Sequence, residues 1–158
     1  MSPSARSHRR HRRSPTLPGG SIPLRSPDDA LRVILAAIAR PPEAETVVLL
    51  LDPTHRGNVC LVCRGATSAE QVASLVPILV QAAANDPSVG AVVLATVRPG
   101  RGVAVGRDDQ VAFGAMRHEL GGAGIDLLDW FVLDGELIGS VAELTGACWR
   151  WSDEEPPW

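Results

Sequence analysis

The sequence predicts a mixed α/β domain built around one sheet. Three observations point there. Apolar runs of strand length (residues 46–51, 89–97 and 127–133) alternate with segments whose apolar residues recur at helical spacing. Most boundaries carry Pro, Gly, Asp or Asn turn chemistry. The chain of 158 residues, 45% hydrophobic, has room for one domain with a proper core. The element order is αββαβαββα, with no internal repeat.

The first helix opens at Ser26, an N-cap residue, with Pro27 at the first helical position and Asp28 and Asp29 at the positive helix end. Leu31, Ile34, Leu35 and Ile38 mark one apolar face, and Pro41-Pro42 ends it. Residues 46–51 (TVVLLL) form a buried-strand pattern. The turn 52–58 (DPTHRGN) then leads into a second strand, 59–63, which makes a hairpin. Thr67-Ser68-Ala69-Glu70 reads as a capping box for a helix that turns Val72, Leu75, Val76, Leu79 and Ala83 inward. Pro77 predicts a kink or break in that helix, and Asn85-Asp86-Pro87 stops it. Residues 89–97 are apolar enough for a central strand. After a glycine-rich loop, residues 107–120 read as a helix closed by Gly121-Gly122. A strand 127–133, a turn at Asp134-Gly135 and a short return 136–138 follow. Ser140 to Glu143 caps a last helical turn.

Charge is uneven along the chain. Residues 1–26 carry six arginines (Arg6, Arg9, Arg10, Arg12, Arg13 and Arg25) and no acid. The remainder carries nine arginines against 18 carboxylates, so a +6 segment precedes a −9 domain. Residues 1–25 nearly lack large apolar side chains and are expected to be a disordered basic tail, with the folded domain over 26–148 and a Trp-rich acidic tail over 149–158. No apolar region follows the first arginines as a secretory signal requires, and no run approaches the ~20 residues of a membrane span, so a cytoplasmic chain without membrane contact is the expectation. Lysine and tyrosine are absent, which fits coding bias in a GC-rich genome. Three cysteines, Cys60, Cys63 and Cys148, do not suggest a disulfide scaffold.

The most informative stretch is 96–109, TVRPGRGVAVGRDD. Its spacing resembles the zinc-site signature of the JAB/MPN metalloproteases and the bacterial RadC proteins, His-x-His-Pro, a loop, then Ser-x-x-Asp. Thr96, Arg98, Pro99, Gly106 and Asp109 stand at those motif positions. Downstream, Gly124 to Val132 resembles the RadC run ending Leu-Leu-Asp-His, with Trp130 at the histidine position. The stretch 135–143 resembles the closing turn, strand and Ser-Leu-x-Glu helix. Upstream, Cys60 and Leu61 stand where the family's strand carries its catalytic glutamate. The resemblance covers residues 46–146 and implies a three-layer JAB/MPN (cytidine deaminase-like) domain with a mixed central sheet.

The same resemblance argues against the family's chemistry. A catalytic zinc needs about three protein ligands, an open position and a carboxylate to move protons. Of the family's ligands only Asp109 remains; Thr96 is a poor ligand, and Arg98 offers no lone pair and stays protonated. Zinc is therefore expected to be absent, with no other cofactor implied. If Arg98 and Asp109 occupy two ligand positions, they should meet in a short ion pair. The simpler alternative leaves Asp109 in the first turn of its helix, where a carboxylate is favoured anyway.

Other residues invite weaker readings. Cys60-Leu61-Val62-Cys63 has CxxC spacing but lies in a strand, where residues i and i+3 point to opposite faces, so buried core cysteine is the expectation. His55, in a turn, is expected to be solvent-exposed, and His118 lies on the helix after the motif. The loop 100–107, with Arg98, Arg101 and Arg107, suggests weak anion binding through backbone N–H groups, although it lacks the Walker lysine and the GxGxxG spacing. Trp149, Trp151 and Trp158 either pack back on the domain or anchor an interface. The leading expectation is a catalytically inactive RadC-like domain acting as a binding or scaffolding module, with a protein partner or a second copy of itself. Two alternatives stand beside it. One is a residual metal-dependent hydrolase using Asp109, Thr96 and a displaced His118 or His55. The other is a nucleic-acid-binding protein working through its arginine tail, whose affinity would fall steeply with salt.

Overall fold

The computed structural model describes residues 23–135, 137–147 and 151, Asn58 by its backbone only. The expectations for the arginine stretch 1–22, for Cys148, Trp149 and Arg150, and for residues 152–158 lie outside the described residues. Ten elements follow one another: α1 (Pro27–Ala37), β1 (Glu45–Leu51), β2 (Gly57–Arg64), α2 (Ala69–Ala73), α3 (Val76–Asn85), β3 (Ala91–Val97), α4 (Arg107–Gly122), β4 (Asp126–Asp134), β5 (Leu137–Ser140) and α5 (Val141–Leu144). The described residues are mixed α/β around one five-stranded sheet of order β2-β1-β3-β4-β5. Three neighbouring pairs are antiparallel, and only β3 and β4 run parallel. A parallel pair needs a crossover of a dozen or more residues, and α4 supplies it.

Strands β1 and β3 are buried along their whole length, so the sheet is covered on both faces. On one face Ala30 and Ile34 of α1 pack with Val47, Leu49, Val93, Ala95 and Phe131. On the other, α2 to α5 pack Val72, Leu79, Phe113, Met116 and Val141 against Val48, Leu50, Leu94 and Trp130. Strand β4 does not alternate strictly. A bulge opposite Val92 and Val93 reverses its pattern, so that Leu127 joins Trp130 on the α4 face and Leu128 joins Phe131 on the α1 face.

Several boundaries differ from the sequence expectation. The capping box uses Ser68 and Gln71, not Thr67 and Glu70. Gln71 Oε1 accepts from the N–H groups of both Thr67 and Ser68, and Ser68 Oγ accepts from the Gln71 N–H. Both frames fit the Ser/Thr-x-x-Glu/Gln pattern, and the second satisfies one more orphan donor. The Pro77 break is complete: the helix divides after Ala73, and the proline sits in the first turn of α3, where its missing N–H costs nothing. Helix α4 runs through Gly121 and Gly122 and reverses only at Gly124, which has φ +76. Strand β3 starts at Ala91, two residues later than expected, and the preceding Gly90 passes close over Pro53, where a Cβ would lie 2.8–2.9 Å from proline atoms. Strand β5 continues to Ser140, past the expected end at Ile138, while Glu136 of the expected return lies outside the described residues.

The domain also reaches beyond both expected ends. Pro23 bridges to Arg56, and the Leu24 N–H donates to His55 O at 2.8 Å, so the folded part begins before Ser26. Trp151, assigned to a tail, is 6% exposed in the core under α1. Its ring meets His55 edge-on at 6.4 Å, and His55 is half-buried, not solvent-exposed as expected. Among the described residues no helix is long and apolar enough to cross a membrane.

Candidate functional site

The buried stripe of α4 is Asp109, Phe113, Met116 and Leu120, spaced i, i+4, i+7, i+11. That spacing puts one carboxylate on the face that packs against the sheet. Asp109 is therefore directed inward and is 5% exposed, whereas its neighbour Asp108 is exposed. At the end of β3 the chain delivers Arg98 to the same point. The guanidinium donates to Asp109 through both terminal nitrogens, at 2.7 and 3.0 Å, and through Nε to Thr67 O at 2.9 Å. Its carbon lies 5.9 Å from the centre of the Trp130 ring, within cation–π range. Asp109 Oδ2 also accepts the Gly106 N–H at 2.9 Å. The pair is well shielded, with side-chain exposures of 14% and 7%.

Behind the pair lies a second polar group. Thr96, Thr46 and Trp130 are each fully buried. Trp130 Nε1 donates to Thr96 Oγ1 at 2.9 Å, Thr96 Oγ1 lies 2.9 Å from Thr46 Oγ1, and Thr46 Oγ1 donates to Ala66 O. An indole N–H can only donate and a carbonyl can only accept. The protons of this relay therefore run in one direction, from Trp130 through Thr96 and Thr46 to Ala66. Register makes it possible: Thr46 and Thr96 are directly paired across β1 and β3.

The glycine-rich loop is tied down from within. Asp134 accepts the N–H groups of Gly100 and Gly102 at 2.9 and 2.7 Å, and both glycines have positive φ. These backbone donors, expected to be open to an external anion, are thus occupied by the protein's own carboxylate. Gly139 lets the loop lie flat on β5, since a Cβ there would come within 2.8 Å of Val103 O. In front of the pair the loop and two helix starts leave a cavity of about 470 Å³, lined among others by Thr67, Ser68, Arg98, Arg101, Arg107 and Asp108.

The remaining candidates lie apart. Pro99 is exposed at the loop's start. Nine residues along a helix place His118 roughly 13 Å from Asp109 and half a turn round, and it is exposed. His55 packs on Trp151, on the α1 side of the sheet. Cys60 belongs to the core under α1, whereas Cys63 packs against the core under α4, so the CxxC sulfurs face opposite ways as strand geometry requires. Burial raises the pKa of both thiols.

Two buried carboxylates respond to pH in opposite senses. Burial acts to raise the Asp109 pKa. The hydrogen bonds from Arg98 and Gly106, with the arginine's charge, outweigh it and hold the group below its usual value of 3.8. Its stabilising contribution is present above the unfolded pKa and is lost as pH falls through the lower folded one. Asp129 was not singled out as a site residue. Burial pushes its carboxyl up; bonds from Ser140 Oγ and the N–H groups of Ala142 and Trp130 offset part of this, and the charge of Glu143 adds to the rise. Asp129 favours the fold below its unfolded pKa and loses that contribution as pH rises through the raised value. Asp129→Asn is therefore expected to lose stability more steeply than the parent on acidification from about pH 7 to about pH 3. Urea midpoints across that range test this, and parallel slopes would refute it.

No protein-family model matches the chain, and no curated protein matches it.

Proposed function

We propose that the chain is a RadC-like JAB/MPN domain that has lost zinc chemistry and works as a binding or scaffolding module rather than as a hydrolase. The observation that carries this reading is the two-pronged Arg98–Asp109 contact at 2.7 and 3.0 Å. By the resemblance these residues stand at two zinc-ligand positions, and they converge as ligands would. Thr96 and Trp130, at the two other histidine positions of the resemblance, meet beside them at 2.9 Å across 34 residues of chain. Four positions aligned by motif spacing alone thus share one locus, which supports the fold reading.

The chemistry of that locus does not fit zinc. Arg98 is a permanent cation with no lone pair. Asp109 already accepts three hydrogen bonds, and the Thr96 oxygen is engaged in the relay. A guanidinium here supplies the positive charge that a metal would supply and closes the cleft. No observation favours the hydrolase reading, since both histidines it would borrow lie away from Asp109.

Native mass spectrometry with added zinc tests both halves of the proposal. The parent protein is expected to take up none. Thr96→His with Arg98→His removes the cation and restores two nitrogen ligands beside Asp109, and this variant is expected to bind one zinc that Asp109→Ala abolishes. Stoichiometric zinc on the parent, lost with Asp109→Ala, would overturn the loss of metal chemistry. A folded double variant that takes no zinc would overturn the family reading.

A further inference from the structure

We propose that the cavity in front of the Arg98–Asp109 pair is a binding site for a phosphoryl group, held by Arg101 and Arg107. This inference stands on the cavity's own side chains and does not depend on the RadC-like reading. Arg98 lines the cavity but is not its free charge, because Asp109 neutralises it. Arg101, on the loop, and Arg107, the first residue of α4, both line this cavity, and neither has an ion-pair partner among the described residues. The other polar groups on the wall are mostly donors. Ser68 Oγ accepts from the Gln71 N–H, which leaves its own proton free, and Thr67 contributes a second hydroxyl. Gly106, the N-cap of α4, has no side chain to take up the first-turn N–H groups, which adds to the donors.

Charge and shape select the ligand class. Asp108 is the one uncompensated acid on the wall, so Arg101 and Arg107 leave a net single positive charge. Two guanidinium forks beside hydroxyl donors match a tetrahedral oxyanion, which can accept from several directions at once. The loop keeps its shape without the ligand, since Asp134 holds Gly100 and Gly102. The site is thus formed in advance, and its affinity comes from side chains at its mouth.

The test is an amide NMR titration with inorganic phosphate, with chloride at matched ionic strength as control. Saturable shifts are expected at Arg101 and residues 106–109. Arg101→Gln with Arg107→Gln should weaken binding at least about tenfold. Asp108→Asn should strengthen it, because it removes a like charge. All three side chains are exposed, so these variants are expected to fold. Phenyl phosphate serves as a second probe: tighter binding of the ester identifies a phosphate monoester as the ligand, and tighter binding of inorganic phosphate identifies the free ion. Shifts no different from chloride, or an affinity unchanged in the double arginine variant, would overturn the proposal.

Discussion

Asp109→Ala is expected to lower folding stability by about 3–5 kcal/mol, the cost of leaving a shielded charge without its partner. The substitution strips the Arg98 guanidinium of two of its three hydrogen bonds and leaves the cation with only Thr67 O and the Trp130 face. Arg98→Met should cost less. The carboxylate it abandons keeps the Gly106 N–H and sits in the first turn of α4, where the helix dipole favours negative charge. Replacing both residues, Arg98→Met with Asp109→Leu, should recover much of the loss, because two apolar side chains remove the desolvation cost along with the attraction. Chemical denaturation of the parent, the two single variants and the apolar double variant measures these differences. A cost below about 1 kcal/mol for Asp109→Ala would mean that the pair behaves like an exposed salt bridge screened by solvent, and the picture of a closed cleft would fail.

What was legible in the sequence was local or carried by spacing. The N-cap at Ser26, the break at Pro77 and the helix after the loop all depend on residues within a turn of one another. Asp109 and Arg98 are eleven residues apart, and motif spacing alone brought them together on paper. The polar relay could not be read this way. Thr46 is fifty residues from Thr96, and nothing near it in sequence marks it; only the register of β1 against β3 pairs the two. Asp134 looked like a turn residue, and its clamp on Gly100 and Gly102 depends on β3 and β4 running in parallel so that their ends coincide. The choice between Thr67 and Ser68 as N-cap was degenerate, because two overlapping frames fit one motif. For Trp151 the sequence left packing back and an interface anchor open, and the structure takes the first. Composition placed it beside acidic residues but does not report where it docks, which is the face under α1, covered by one eleven-residue helix.

Trp130→Ala is expected to destabilise the fold by about 3–5 kcal/mol, the usual cost of a large cavity in a close-packed core. Trp130 is fully buried between Leu94 and the helices of the α4 face, and its removal also deprives Arg98 of the ring beneath it. The informative comparison uses smaller changes. Thr96→Val keeps the shape of the side chain but leaves the indole N–H with no acceptor, a cost of about 1–3 kcal/mol for a buried donor. Trp130→Phe removes that donor together with some volume. Introduced into the Thr96→Val background, it should cost about 1 kcal/mol less than in the parent, since the orphaned donor leaves with it. The sign of this coupling follows from the one-way order of the relay: the indole gives and Thr96 receives, so the penalty belongs to the tryptophan once the threonine is gone. Strictly additive effects in denaturation measurements would mean that the relay contributes no energy beyond packing.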